Sequence, residues 1–451
     1  MQTFLAPKAW LNQAWASDVL MTISSSGHWQ QIDLNADVEA KRKAQRLVGY
    51  TLPGVTNAHS HAFQRAMVGM TESASWGLSH TADNFWTWRD QMYRTARCVT
   101  PDAVERIATL LYRELLQGGY THVCEFNYLH NDLDGGPYGD PLTLSMAHMR
   151  AAKAVGIGLT MLPTLYMRSG FNSNSLGVDQ RRFASTPRSV LDIASKINAL
   201  NDPLINAGVA IHSLRAVDME AIIDLTMQAK QMGLPIHIHI AEQMQEVNDC
   251  LAQQKQRPIE YLLNRVAVDS YWNLVHATHA TKDEISGIKA AGASIVICPS
   301  TEANLGDGII DLPTILQTKT HWSIGSDSHV SRAWVDELRL LEYSQRLQLR
   351  ERNVSARHGI LSTPPQTLKT ASCGAALLTG ALGGASMASG RNVGAMAIGR
   401  RADFSQWAVQ QAPNHEGFLQ ATDDRYVLDQ MIFSHPNNRP TDVYVAGKKV
   451  I

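Results

Sequence analysis

The 451-residue sequence predicts an α/β protein: a (β/α)8 TIM-like barrel, with a small β domain formed by both chain ends. Two observations carry this. Eight strand-like apolar runs alternate with helical patterns between residues 49 and 329, and strand–helix alternation implies parallel pairing. Short strand-like segments separated by Ser and Gly turns precede this region, and a similar segment ends the chain.

In chain order, "ASDVLMTIS" and "GHWQQIDL" read as short strands of the β-rich N-terminal part. The eight runs of the repeat are "GYTLPGVTNAH", "THVCEFNY", "GIGLTMLPTLY", "AGVAIHSL", "LPIHIHIAE", "WNLVHATH", "ASIVICPS" and "HWSIGSDSH". Amphipathic stretches such as "TPDAVERIATLLYRELLQGG" and "DMEAIIDLTMQAKQMG" lie between them and end in Gly, the residue that most easily takes the left-handed conformation after a helix. The uncharged stretch at residues 371–390 approaches the length of a membrane span. Its Gly, Ser and Thr content makes a buried helix followed by a Gly-rich turn the better reading. "DVYVAGKKVI" then reads as strand, turn and strand start. The expected division is 1–54 for the N-terminal part of the small domain, 55–385 for the barrel and 386–451 for the C-terminal part.

A net charge of −1 without basic excess argues against binding of nucleic acid or an anionic membrane. Five scattered cysteines with no CxxC pair read as reduced thiols in a cytoplasmic protein. The N-terminus lacks the basic start and apolar run of a signal peptide.

In a (β/α)8 barrel the chemistry gathers at the C-terminal strand ends. Here those ends carry His59 and His61 (first run), His239 and Glu242 (fifth), His276 (sixth) and Asp327 (eighth). Residues i and i+2 of a strand face the same way, so an H-x-H pair can aim two imidazoles at one point. A third His and an Asp would complete a site for one divalent metal. Nitrogen and oxygen donors without a thiolate suit zinc first, with iron or manganese as alternatives. Among 17 histidines a single H-x-H pair means little; the weight comes from four separate strand ends carrying the right residue types. His237, His279 and His329 are expected to be structural or to support the ligands.

"PGVTNAHSHAFQRAM", "HIHIAEQ", "SIGSDSH" and "VGAMAIGRRADF" resemble the amidohydrolase superfamily over nearly the whole chain. The resemblance implies a distorted barrel with a β-sandwich built from both ends. His239 and Glu242 form an H-x-x-E similar to that of its one-metal deaminase branch. The fourth run ends "AIHSLRAV" without the Lys that bridges two metals in the other branch. Further stretches, "HSHAFQRAMVGMTE", "NFWTWRDQMYR" and "EFNYLH", are similar to the formimidoylglutamate deiminase family. That likeness implies His59, His61, His239 and Asp327 as metal ligands, and Glu242, His276 and Asp327 as catalytic residues. It also implies that Gln64, Arg89, Tyr128, His212 and Arg215 contact substrate, and that the chain is a homodimer.

The implied reaction is hydrolysis of N-formimino-L-glutamate to N-formyl-L-glutamate and ammonia. Such a substrate has two carboxylates, which arginines bind in bidentate fashion better than lysines do. The rival readings are a deaminase or chlorohydrolase acting on a purine, pterin or triazine ring, and a non-catalytic barrel scaffold.

Overall fold

The computed structural model describes residues 1–72, 83–359, 372–408, 424–434 and 439–451. The apolar runs form a closed parallel barrel. Its strands are Val55–Ser60, Tyr120–Asn127, Gly158–Leu165, a fourth in two pieces (Ile205–Ala207 and Val209–Ile211), Ile236–Ile240, Trp272–His276, Ser294–Ile297 and His321–Ile324. Neighbouring strands pair in parallel, and Ile324 opposite Asn57 closes the ring. Except at His321 these strands are buried, because helices cover the outer face and side chains fill the interior.

Several helices start where a side-chain oxygen caps a free backbone N–H group. Thr100 accepts from Ala103 ahead of Pro101–Gln117, and Asp218 accepts from Ala221 ahead of Met219–Gln231. The first of these buries Val104, Ala108, Leu111 and Leu115 at helical spacing, against the barrel.

The run at residues 49–59 is two strands and not the single one expected. Tyr50–Pro53 pairs with Phe404–Trp407 in the end domain, while Val55–Ser60 opens the barrel. Gly54 lies between them. A Cβ there would sit 2.2 Å from Thr121 Oγ1 and 2.7 Å from the Asp403 Cβ, so only glycine lets the chain pass between the sheets.

The end domain is an eight-stranded sheet from both chain ends. It includes a strand not foreseen, Gln2–Leu11, which forms a hairpin with Ala14–Ile23. The two-residue turn is Asn12–Gln13, both at positive φ. It lacks the glycine that usually signals such a turn. The sheet curls back on itself: His28, just ahead of the edge strand Trp29–Asp33, bridges Arg401, just ahead of Phe404–Trp407, and Trp29 packs on Phe404 at 5.4 Å. Phe4, Met21, Trp29, Phe404 and Tyr444 share a separate core, which makes this unit a β-sandwich.

The stretch at residues 371–390 forms the helices Cys373–Gly383 and Ala385–Ser389, with Ala371 outside the described residues. The second helix seats against the barrel base. His237 Nε2 is 2.8 Å from the Ala388 carbonyl, and Thr160 and Asn206 donate to the Ser389 carbonyl at 2.9 and 2.8 Å. Among the described residues no helix is long and apolar enough to cross a membrane.

Candidate active site

His59 lies on the first barrel strand and His61 just past its end, while the intervening Ser60 turns away and donates to Glu125 at 2.7 Å. Strand alternation therefore aims both imidazoles inward. Their Nε2 atoms lie 3.2 and 3.3 Å from the same oxygen of Asp327. His239 Nε2 is 3.0 Å from that of His59 and 3.3 Å from that of His61. Gly325 makes room for this packing, since a Cβ there would lie 2.6 Å from the Cβ of His59.

His61 and His239 are oriented from behind. Nδ1 of His61 is 2.8 Å from the Phe126 carbonyl, and Nδ1 of His239 is 2.9 Å from the His212 carbonyl. A carbonyl only accepts, so each Nδ1 carries the proton and each Nε2 turns a lone pair to the centre. His59 Nδ1 is buried without a partner. Burial pushes the pKa of His59 down to about 3 and lowers those of His61 and His239. Burial works against ionisation of Asp327, but His59, His61 and His276 outweigh it and hold the carboxyl well below its usual range. Neutral imidazoles and an ionised carboxylate converging in a buried space repel one another unless a cation lies among them. The donor set fits one divalent ion with nitrogen and oxygen ligands.

Next to this cluster, His276 Nε2 is 3.7 Å from Glu242 and 3.9 Å from Asp327. Its Nδ1 is 3.2 Å from Glu302. Burial alone would lower the pKa of His276; the surrounding carboxylates of Glu242, Glu302 and Asp327 raise it to about 10. Burial raises that of Glu242 to about 7, with His276 opposing. His276, Asp327 and the Ala241 beside Glu242 have left-handed backbone, a conformation that strains non-glycine residues and clusters at functional sites.

The residues selected from the sequence line one pocket, except His59, which touches it through Asp327 and His239. Gln64 is buried in a helical turn, donates to Tyr128 Oη at 2.9 Å and leaves its Oε1 without a partner. Burial, then the charge of Arg215, keeps His212 neutral. Arg89 stands on the helix Phe85–Cys98, its guanidinium 4.3 Å from the Trp86 ring and 5.4 Å from the Tyr93 ring. Arg215 lies 5.8 Å from the same indole. The Nε atoms of both arginines are buried without partners, and neither residue is in an ion pair among the described residues. Two half-buried cations, neither in a direct ion pair and only Arg215 within electrostatic reach of carboxylates (Glu242 and Glu246), make this end of the pocket a receptor for anions.

Sequence reasoning missed Glu302, Tyr166 and Tyr93. Tyr166 follows the third barrel strand and lines the pocket, so the rule that chemistry gathers at strand ends could have found it. Tyr93, one helical turn beyond Arg89, would follow from i, i+4 spacing.

The amidohydrolase family profile matches residues 50–450. The chain is 42% identical to a formimidoylglutamate deiminase of Pseudomonas aeruginosa, covering 100% of this chain and 95% of that protein. It is 23% identical to a 5-methylthioadenosine/S-adenosylhomocysteine deaminase of Shouchella clausii, over 88% of this chain and 80% of that one. A crystal structure of an amidohydrolase from Brucella melitensis superposes with a TM-score of 0.87 at 36% identity, covering 100% of this chain and 94% of that chain.

Proposed function

The chain belongs to the amidohydrolase family, and from that premise we propose that it hydrolyses N-formimino-L-glutamate to N-formyl-L-glutamate and ammonia, in histidine degradation. The observation that carries the substrate is the pair of half-buried arginines, Arg89 and Arg215, that line the pocket beside the histidine cluster without a direct ion pair among the described residues. A dicarboxylate gives both guanidiniums a bidentate partner, whereas a neutral ring would cover them without supplying one.

His59, His61, His239 and Asp327 would hold one divalent ion, zinc by the chemistry of the donors. When bound, that ion supplies the Lewis acidity that activates water near neutral pH. Arg89 and Arg215 grip the carboxylates, while Gln64, Tyr128 and His212 orient the formimino group. Water adds to the formimino carbon as the C=N π pair moves to nitrogen. Asp327 accepts the water's proton. His276, kept protonated by its three carboxylate neighbours, stabilises charge developing on the new oxygen. Glu242, poised near neutrality, protonates the departing nitrogen. Glu242 then carries the hydroxyl proton to the same nitrogen; the C–N bond breaks with its electron pair leaving in ammonia, the oxygen's pair forms the formyl C=O, and the proton held by Asp327 returns Glu242 to its starting state.

The reading includes a cytoplasmic setting, supported by five free cysteines, four of them buried. It also includes a homodimer, which follows from the family likeness and is checked by sedimentation. The test of function is ammonia release from N-formimino-L-glutamate beside adenine, guanine and cytosine. Faster turnover of any ring substrate would overturn the assignment.

A further inference from the structure

A second cavity of about 460 Å³ lies at the opposite end of the barrel from the histidine cluster. Its walls come from residues just ahead of the fourth, fifth and sixth barrel strands, among them Pro235, Ser270 and Tyr271, and from the Ser386–Asn392 segment. Arg401 closes it from the end domain. Its size falls within the roughly 300–1,000 Å³ usual for small-molecule sites.

The charge balance of this cavity is uneven. Arg401, only 5% exposed, gives Nε and Nη2 to Asp403, yet its Nη1 is buried without a partner. Arg391 spends Nη2 on the carbonyls of Asp202 and Ile205, at 3.1 and 2.7 Å, and its Nε is likewise buried and unpartnered. Arg400 donates to Ser386 Oγ and the Val393 carbonyl and meets no carboxylate. The side chain of Asp202, the nearest alternative, is taken by Lys153 at 2.8 Å. Of the two guanidiniums lining the cavity, Arg401 is paired with Asp403, while Arg391 makes no ion pair among the described residues and feels Asp202 only at longer range. Burial, and then repulsion from Arg401, lowers the pKa of Arg391, which places the two cations close enough to oppose each other. Arg391 Nη1 makes no hydrogen bond among the described residues and is not sealed from solvent, so it is the donor that an oxyanion in the cavity would meet, with the charge of Arg401 behind it.

We propose that this cavity is a second binding site, for a small organic oxyanion, held by Arg391 and Arg401 at the junction of barrel and β-sandwich. A carboxylate and a phosphate ester present the same oxygen chemistry to a guanidinium, and the cavity has room for the body of either. Tyr271, exposed at the rim, offers an apolar face to that body. The Ala385–Ser389 helix caps the barrel base through the carbonyls that hold Thr160, Asn206 and His237. Occupancy would therefore brace the junction and raise thermal stability.

The test titrates the metal-loaded full chain by calorimetry with succinate and, separately, with glycerol 3-phosphate at constant ionic strength. Melting curves are recorded alongside. Two variants isolate this cavity from the pocket at the other end: Arg391→Gln removes a cation, and Ser270→Glu places a negative charge at the exposed rim without touching the core. The expected result is that at least one anion binds with a component that each variant weakens tenfold or more, and that the accompanying rise in Tm is lost. The kcat/KM of either variant stays at the wild-type value. The anion that binds identifies the ligand class. If Arg391→Gln fails to fold, Ser270→Glu decides alone. Binding and Tm shifts unchanged in Ser270→Glu, or absent for both anions in the wild type, overturn the proposal.

Discussion

His276 Nδ1 lies 3.2 Å from a carboxylate oxygen of Glu302, and both side chains are buried. The same oxygen accepts the Cys298 backbone N–H at 2.9 Å, which pins the carboxylate behind the ring. Glu302 therefore orients His276 and favours its protonated form. In Glu302→Gln the pKa of His276 falls, so the alkaline limb of the pH–kcat profile should move to lower pH, with kcat reduced about tenfold or more and metal content unchanged. An unshifted alkaline limb would leave Glu302 with a structural role only.

Metal binding is tested by composition. Elemental analysis of the purified protein should give about one divalent ion per chain, and His61→Ala should lose both the ion and the activity, because the remaining ligands bind weakly. Two ions per chain, with activity surviving loss of one, would refute the one-metal site.

Glu242→Gln keeps the shape of the side chain and cannot carry a proton. The variant should retain its metal and lose roughly two to four orders of magnitude in turnover. Near-normal turnover would remove Glu242 from the proton path.

Arg89 and Arg215 are expected to set specificity. Replacing either by Met leaves a buried substrate carboxylate unpaired, at a cost of about 2–5 kcal/mol, so kcat/KM should fall at least about thirtyfold. A formimino compound lacking one carboxylate should be a poor wild-type substrate, and less sensitive to loss of the arginine that serves the missing group. Equal processing of charged and uncharged compounds by all three proteins would end the glutamate assignment.

Stability should carry a pH signature from Glu337. This fully buried carboxyl accepts from Ser300 N and Oγ at 2.9 and 2.6 Å, yet burial raises its pKa from 4.5 to about 8. The folded chain thus holds a proton that the unfolded chain has released. The contribution is complete below about pH 4.5 and is lost as pH rises through about 8; at full extent it is a few kcal/mol on the order of magnitude. Glu337→Gln, which cannot ionise, should flatten the decline of Tm between pH 5 and 8 seen by scanning calorimetry. Parallel wild-type and variant curves would show that Glu337 is not the titrating group.

The sequence alone determined the repeat of strands and helices and the strand ends that carry His59, His61, His239, Glu242, His276 and Asp327, while the arginines of the pocket were indicated by family resemblance. Those features are local: alternation along a strand and helical spacing are set by the backbone of a few residues, so they can be read in order. Tertiary structure decided what depends on two distant segments meeting. Glu302 acts on His276 only because the barrel sets the helix Pro299–Leu305 behind the sixth strand. Gly54 splits an apolar run because Thr121 and Asp403 leave no space for a Cβ. The unpaired N–H groups of Arg391 and Arg401 exist only where the β-sandwich meets the barrel base. Burial and unmet hydrogen bonds belong to no single stretch of chain; they arise when the fold excludes water from groups far apart in the sequence.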